Sequence, residues 1–479
     1  MRKTFITNLI LLVLLNLLVK PFYILGIETE IQNRVGAETY GSYFALINFS
    51  FVLNILLDIG ITNWNTRHIA QNPQLISKHF GPLLTIRLGL AALYLAIAIV
   101  TGLVLGYHES QLSLLVVLAI GQVFASGILF IRSNLTGLHM FKHDSVISVL
   151  DRILLLLSMA YLLWFQSAPF QMEWLVYGQC VTYMITFFLA LFFVTKKAKG
   201  WKLKPNFTFS RSIIKSSFPY AAMILISSIA YRIDSILLER ISGSHEAGIY
   251  AMGFRFFEAV NMMAYLFAVL LLPLFAGMIK RNESINHLLV LSFKIMLTAA
   301  ATLAVCCIFW RSEILNLFYH QQVDQASDSF GLLMIGCAAF CLQYIVGTLL
   351  TAAGKLRILI IIAIGGMIVN LLMNFWLIPI YGNTGAAFSN AITQSLILFA
   401  QMIVVGKIYA PQWRKDLLRG LIFTLCIAGF GYFFSQNTIF EGRLAYAIAT
   451  FSLCSVIAAW LVGMFDLRSI KQLIINRNR

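Results

Sequence analysis

Residues 35–60 read VGAETYGSYFALINFSFVLNILLDIG, and this stretch decides the fold. Between Glu38 and Asp58 it contains no charged residue, and most of its side chains are aliphatic or aromatic. A helix needs about 20 mostly apolar residues to cross the hydrocarbon core of a bilayer. The stretch therefore predicts one transmembrane helix with an acidic residue at each end.

The composition extends this interpretation to the whole chain. Of the 479 residues, 60% are hydrophobic and only 11% are charged, whereas soluble proteins carry about 25% charged residues. The apolar residues suffice for about fourteen helices of the required length. We predict an all-α, polytopic membrane protein with little chain left for a soluble domain.

Further apolar segments follow one another along the chain, separated by short polar loops. The first one starts after Met1-Arg2-Lys3, and we interpret it as an uncleaved span because no A-x-A cleavage site follows it. The predicted spans are residues 5–26, 40–61, 80–106, 111–131, 146–166, 172–194, 213–238, 247–275, 287–310, 329–352, 356–379, 384–406, 416–435 and 443–465.

Basic residues are distributed unevenly between the two sides of these spans. Of 35 lysines and arginines, only Arg34, Arg240, Arg311 and Arg443 fall in predicted outer segments. Cytoplasmic loops carry the basic excess in membrane proteins. We therefore expect a multi-pass protein of the inner (cytoplasmic) membrane with both termini in the cytoplasm. The net charge of +16 then reflects topology and requires no nucleic-acid partner. The basic run at 196–215 also suits anionic lipid headgroups.

The chain carries a sign of internal duplication. A Gly-Gly-Tyr pattern recurs 207 residues later, at Gly36, Gly41 and Tyr43 and again at Gly243, Gly248 and Tyr250. This offset covers six spans, and because six is an even number the two copies have the same orientation in the membrane. Two parallel six-span halves are a known transporter architecture. We predict an N-terminal six-helix half at 1–194, a basic cytoplasmic linker at 195–212, a C-terminal six-helix half at 213–407, and helices 13 and 14 with a basic tail at 408–479.

Charged residues inside the predicted spans are the candidates for function, because each costs about 2.5–3.5 kcal/mol near a helix centre. Six are basic and four are acidic: Lys20, Arg87, Arg152, Arg232, Arg255, Lys294, Asp58, Asp151, Asp234 and Glu258. Lys20, Arg232, Asp234, Arg255 and Glu258 lie deepest. The others lie near cytoplasmic ends, where snorkelling or a local ion pair accounts for them. The basic excess favours an anionic, phosphate-bearing substrate.

Helical spacing relates some of these charges to one another. Arg255 and Glu258 are three residues apart and share a helix face. Arg232 and Asp234 are two apart, so we expect them to have different partners. Polar faces on the spans that carry Lys20, Arg232 and Arg255 predict a central cavity between the two halves. Asn370 and Asn374 suit either cavity lining or interhelical hydrogen bonding.

No pattern in the sequence indicates catalysis, a metal or a cofactor. The seven cysteines form no C-x-x-C pair, and the chain has no phosphate-loop, H-E-x-x-H or G-x-S-x-G motif. The longest predicted outer loop, about 311–328, is short for a catalytic domain. We expect a transporter rather than an enzyme. The alternatives from other classes are a membrane glycosyltransferase, polymerase or ligase, and a channel.

Several short motifs, in their order and spacing, resemble one known family. They are Val35-Gly36-Ala37-Glu38-x-Tyr40-Gly41-x-Tyr43, Asp58-Ile59-Gly60 followed by Arg67, Tyr231-Arg232-Ile233-Asp234, Ala247-Gly248-Ile249-Tyr250, Gly253-Phe254-Arg255, Ile378-Pro379-x-Tyr381-Gly382 and Thr384-Gly385-Ala386-Ala387. Together they resemble the polysaccharide-exporter branch of the multidrug/oligosaccharidyl-lipid/polysaccharide (MOP) flippase superfamily, the Wzx-type O-antigen flippases.

This resemblance implies a V-shaped MOP-type transporter that flips an isoprenoid-diphosphate-linked oligosaccharide by alternating access. It also implies contact with membrane lipids and coupling to a proton or sodium ion. Contacts with the polysaccharide polymerase machinery are a further implied interaction. A peptidoglycan lipid II flippase or a multidrug extruder of the same superfamily is the alternative.

The candidate site residues come from two sources. Arg232, Asp234 and Arg255 occupy motif positions of the resemblance, and charge and depth add three more, Lys20, Arg87 and Glu258. We predict substrate binding by the four basic residues, Lys20, Arg87, Arg232 and Arg255. The predicted ion-coupling carboxylates are Asp234 and Glu258.

Overall fold

The computed structural model describes residues 15–16, 18–138, 140–198, 201–203, 207–409, 413–437 and 442–464. The start of the first predicted span (5–14), parts of the basic linker, the Arg67 side chain and the predicted tail from 465 onward lie outside the described residues. The helices are α1 (Thr29–Leu53), α2 (Ile61–Gln71), α3 (Ile76–Val104), α4 (Glu109–Gly137), α5 (Phe141–Trp164), α6 (Met172–Thr195), α7 (Phe207–Ser242), α8 (Ser244–Lys280), α9 (Asn286–Phe309), α10 (Arg311–Asn316), α11 (Val323–Ala352), α12 (Leu356–Tyr409), α13 (Trp413–Gln436) and α14 (Leu444–Leu461).

These helices agree with the predicted spans. Within the described ranges, eleven helical segments are long and apolar enough to cross a membrane. One of them, Leu18–Leu57, covers parts of the predicted spans 5–26 and 40–61, and another, Leu356–Tyr409, contains those at 356–379 and 384–406. Helix α7 covers the remaining predicted span at 213–238. The prediction of an all-α, polytopic membrane protein is therefore confirmed.

Glycines with positive φ angles connect consecutive spans at the two positions of the repeated motif. Gly36 has φ 81° within the helical run that contains α1, and Gly243 has φ 93° between α7 and α8. This backbone region favours glycine because a β-carbon is strained there. The two glycines are 207 residues apart, so the equivalent positions of the repeated motif have the same backbone role.

A second pair of repeated glycines makes a reciprocal helix contact. A β-carbon on Gly41 in α1 would lie 1.8 Å from the carbonyl oxygen of Ser244. A β-carbon on Gly248 in α8 would lie 1.9 Å from the carbonyl oxygen of Ala37. The Gln32 side-chain amide also donates to the carbonyl oxygen of Gly248, at 2.8 Å. The two backbones therefore touch at a crossing that has no space for side chains.

The chain divides into two compact units, Met1–Gly248 and Ile249–Arg479. In the first, a core around Phe80, Phe130 and Leu135 packs α2, α3, α4 and α6 together. Helix α7 also belongs to this unit and packs against α1. A packing boundary and a repeat boundary are different properties, so the predicted six-helix halves and linker stay a prediction.

The second unit has a core around Phe275, Phe293 and Leu349, which joins α8, α9, α11 and α12. Helix α13 docks on α9 through an ion pair in which Lys294 Nζ lies 2.5 Å from Asp416 Oδ1. Gly431 brings the same helix close to the Phe309 ring. The predicted helix 13 is thus fixed to α9 by both charge and packing.

Candidate functional site

Arg87 lies in a closed polar cluster of the N-terminal unit. Its Nη1 lies 2.5 Å from Asp58 Oδ1 and 3.1 Å from Thr62 Oγ1. Its Nη2 donates to the backbone and side-chain oxygens of Ser126, at 2.8 and 2.5 Å. The Phe130 ring centroid is 5.0 Å from the guanidinium carbon. Both terminal nitrogens are engaged within the protein, so a substrate contact at Arg87 would require the cluster to open.

Replacing Arg87 with alanine is expected to destabilise the protein. The change leaves the Asp58 carboxylate without its cation, and breaking a buried pair in this way costs about 3–5 kcal/mol. Thermal unfolding of the purified protein in detergent measures the effect.

Arg281→Ala is the matched control for Arg87→Ala. Arg281 also bonds a carboxylate, Glu283 Oε1 at 2.5 Å, but its side chain is 63% exposed. That hydrogen bond lowers the pKa of the Glu283 carboxyl, yet exposed pairs contribute little to stability. Equal unfolding temperatures for the two variants would contradict a structural role of Arg87.

Arg232 on α7 is held by α1. Its Nη1 donates to Asn48 Oδ1 at 2.5 Å. The guanidinium carbon lies 4.2 Å from the Phe51 ring centroid and 5.3 Å from that of Tyr231. The Asn48 amide nitrogen in turn donates to the Phe44 carbonyl at 2.8 Å, which keeps its oxygen directed at Arg232. A neutral amide and two rings thus position a half-buried arginine within a predicted span.

Sequence reasoning missed Asn48. It is 1% exposed, lies inside the apolar segment quoted first, and precedes Arg255 by 207 residues. The repeat offset was therefore the signal that would have found it. Asp234, two residues after Arg232, is also 1% exposed, so this carboxyl group is shielded from solvent within the bundle.

Arg255 and Glu258 on α8 meet, as their spacing predicted. Arg255 Nη1 lies 2.6 Å from Glu258 Oε2, and the two side chains are 8% and 17% exposed. One turn further, Asn261 Oδ1 accepts a hydrogen bond of 2.7 Å from the Tyr344 hydroxyl on α11. The C-terminal unit therefore carries a line of polar groups along the first half of α8.

A further polar cluster surrounds the first described helix. Arg152 on α5 donates to the Tyr183 hydroxyl at 2.9 Å and lies over the Tyr23 ring at 5.3 Å. Lys20 interacts electrostatically with Arg152 and Asp151. The structure thus brings Lys20 together with the α5 charges, while Arg87 and Arg232 each have other partners.

Glu28 falls between the predicted spans 5–26 and 40–61, where the sequence predicts a loop. The structure instead continues the helix through a π-helical turn at Tyr23–Glu28. Glu28 is 5% exposed there, and its Oε2 accepts a hydrogen bond of 3.1 Å from the Tyr40 hydroxyl. The hydrogen bond from the Tyr40 hydroxyl replaces one that the Glu28 carboxylate would make to water if it were exposed.

The sequence model of the polysaccharide biosynthesis proteins matches residues 5–279, more than half of the chain. The chain belongs to this family.

Two curated relatives are membrane proteins from Methanocaldococcus jannaschii. The uncharacterized membrane protein MJ1068 is 22% identical over 459 residues, which cover 84% of this chain and 88% of the relative. The uncharacterized membrane protein MJ1375 is 23% identical over 390 residues, 78% of this chain and 91% of the relative. Both matches extend well beyond the region covered by the family.

Solved structures show the same fold. The lipid II flippase MurJ in an inward closed conformation aligns with a TM-score of 0.69 at 15% identity, covering 95% of this chain and 97% of MurJ. An inward-facing multidrug resistance MATE transporter of the MOP superfamily aligns with a TM-score of 0.64 at 12% identity. The alignment covers 83% of this chain and 98% of the transporter. A MOP superfamily transporter from Pyrococcus furiosus aligns with a TM-score of 0.60 at 10% identity. The alignment covers 84% of this chain and 95% of that transporter. The chain is a multi-pass membrane protein with the MOP-type transporter fold.

Proposed function

We propose that the protein is a flippase that moves an isoprenoid-diphosphate-linked oligosaccharide across the cytoplasmic membrane by alternating access. The observation that carries the proposal is Arg232, a guanidinium held by Asn48 and Phe51 within a predicted span. Guanidinium groups bind phosphate oxygens through two parallel hydrogen bonds. Membership of the polysaccharide biosynthesis family supports a saccharide-bearing substrate.

The direction of transport follows from the predicted orientation. Loops rich in lysine and arginine, such as Lys280 and Arg281 after α8 and Lys355 and Arg357 before α12, lie on the cytoplasmic side in this proposal. The substrate is loaded there and released at the opposite face, with its isoprenoid chain remaining in the bilayer.

Glu258 offers a route for ion coupling. The Glu258 carboxylate competes with an incoming diphosphate for Arg255, because both anions bind the same guanidinium group. Protonation of Glu258 would remove its charge and free Arg255 for the substrate, so binding and proton uptake would favour each other. Asp234 is the second candidate carboxylate, for a proton or a sodium ion.

A reconstituted flipping assay tests the substrate class. The purified protein in liposomes is supplied with fluorescent undecaprenyl-diphosphate oligosaccharide, lipid II or a cationic dye in parallel. We expect movement of the oligosaccharide lipid and little movement of the dye, because the charges in the spans are mostly basic. Preference for lipid II would make the protein a peptidoglycan precursor flippase, and movement of the dye alone would make it a multidrug extruder. Arg281→Ala serves as the variant with unchanged transport.

A further inference from the structure

A cluster of charged and aromatic side chains joins the end of α7 to the loop between α3 and α4. Arg240 on α7 donates through Nη1 to the Leu105 carbonyl oxygen at 3.0 Å. Its guanidinium carbon also lies 3.7 Å from the ring centroid of Tyr107. We call Leu105, Tyr107, Glu239 and Arg240 the outer clasp, because the predicted orientation places these residues on the outer side.

The outer clasp lies beside the joint between α7 and α8. Gly243 at this joint has φ 93°, and its N–H donates to the Glu239 carbonyl oxygen at 3.0 Å. On the side chain of Glu239, Oε1 is 3.5 Å from the Ser244 hydroxyl at the start of α8. Gln111 on α4 interacts with the same carboxylate and donates to Ser42 Oγ on α1 at 3.1 Å. Four helices therefore meet around one carboxyl group.

The Glu239 carboxylate is buried and incompletely paired. Its side chain is 7% exposed, and Arg240 Nε lies 3.0 Å from Glu239 Oε2. Within the described part of the chain, however, neither of these two atoms makes a hydrogen bond. Arg240 instead directs its hydrogen bond and its charge at neutral partners, the Leu105 carbonyl and the Tyr107 ring. Because a buried charge that lacks hydrogen bonds is costly, this geometry favours a proton on Glu239.

The pKa of Glu239 changes in the same direction. Burial is the largest influence and raises the pKa of this carboxyl above its ordinary value, while Arg240, Ser244 and Gln111 oppose the shift without cancelling it. A closed clasp therefore binds the proton more tightly than an open one, in which Glu239 would be exposed to water. Proton uptake favours the closed form, and that preference is lost as the pH rises through the raised pKa. Tyr107 stays protonated, because burial raises its pKa to about 12.

We propose that Glu239 is a proton-binding site and that the bound proton closes the outer clasp. With the proton in place, Arg240 holds α7 on the α3–α4 loop. When the proton leaves, the buried carboxylate regains its hydrogen bonds only by contact with water, so the clasp opens. The site is separate from Asp234 and Glu258, the coupling carboxylates of the proposed function. Only its use to drive transport rests on the proposed function, since proton binding can be measured without a substrate.

Fluorine NMR on the full chain in lipid nanodiscs tests the proposal. The protein carries Leu105→trifluoromethylphenylalanine, which keeps the carbonyl that Arg240 binds. The Leu105 side chain is 37% exposed, so a larger ring has space there. Arg240→Ala lacks the guanidinium and supplies the signal of the open form. Spectra recorded from about pH 8 to about pH 5, the interval in which folded proteins are most stable, give the ratio of closed to open clasp.

We expect this ratio to rise by about fivefold or more as the pH falls, the lower end of typical coupling between two equilibria. Glu239→Gln has an uncharged side chain of nearly the same shape and should stay closed at every pH. A ratio that is constant or that falls on acidification would overturn the proposal. The same conclusion would follow if Glu239→Gln kept the full pH response.

Glu30→Gln is the matched control. Glu30 also lies in a predicted outer segment and pairs with an arginine, Arg34 Nε at 2.9 Å, but the two side chains are 27% and 37% exposed. This variant should keep the pH response of the parent. His108→Gln and His245→Gln test the histidines next to the clasp in the sequence, because histidine titrates in the same interval. Loss of the response in either histidine variant would move the proton away from Glu239 and contradict the proposal.

The outcomes for the clasp and for the proposed function are distinguishable. A pH response that Glu239→Gln removes, in a protein that does not flip the oligosaccharide lipid, would support the proton site and overturn the proposed function. Flipping of that lipid by a protein whose clasp does not respond to pH would support the function and overturn the proton site.

Discussion

Arg232→Ala is expected to abolish export of surface polysaccharide while the amount of protein in the membrane stays close to that of the wild type. The residue contacts Asn48 and Phe51 on α1. Hydrogen bonds to charged groups contribute about 1.5–3 kcal/mol each. Loss of a two-bond contact with a diphosphate therefore lowers transport by about 100-fold or more, since about 1.4 kcal/mol is tenfold.

Two further variants resolve the role of Arg232. Arg232→Lys keeps the charge but loses the planar fork, so we expect partial export. Asn48→Ala keeps the guanidinium but removes the acceptor that positions it, and should lower export less than Arg232→Ala does. The measurement is cell-surface polysaccharide, normalised to membrane protein, in cells without their own exporter. Normal polysaccharide from Arg232→Ala would remove this arginine from the transport pathway.

Gly41→Ala is expected to destabilise the folded protein, although it adds only one methyl group. The added β-carbon would lie 1.8 Å from the Ser244 carbonyl oxygen, and backbone atoms at that distance must move apart. Overpacking of this kind costs about 1–3 kcal/mol or more. Because the contact is reciprocal, Gly248→Ala should show a loss of similar size, through the Ala37 carbonyl oxygen at 1.9 Å.

Gly89→Ala is the matched control for these glycines. A β-carbon there has no heavy atom within 4 Å, and alanine is favoured over glycine inside a helix by about 1 kcal/mol. We therefore expect Gly89→Ala to leave the thermal unfolding temperature unchanged or raise it. A similar response at Gly41 and Gly89 would show that the α1–α8 crossing is looser than the backbone distances indicate.

The sequence predicted features that depend on local spacing. The spans follow from runs of apolar residues, and the Arg255–Glu258 pair follows from their separation of three residues on one helix. The repeated glycines at 36 and 243 were visible as a pattern, although their positive φ angles were not.

Contacts between distant segments could not be predicted in this way. Asp58 lies in the turn before α2 and Arg87 lies on α3, and no periodicity relates them. The repeat offset relates Asn48 to Arg255, but no spacing relates Asn48 to Arg232, its partner on another helix. Glu28 comes just after the predicted span 5–26, and the Tyr40 hydroxyl that donates a hydrogen bond to its carboxylate is twelve residues away.

The Lys294–Asp416 pair has a consequence for the fate of incomplete chains. A polypeptide that stops before α13 retains the Lys294 ammonium among apolar helices and lacks the Asp416 carboxylate that neutralises it. Removing one partner of such a pair costs about 3–5 kcal/mol, a large fraction of a typical folding free energy. A nonsense mutation near residue 408 should therefore yield a product that membrane proteases degrade, so that the gene tolerates missense changes in its final helices better than their loss.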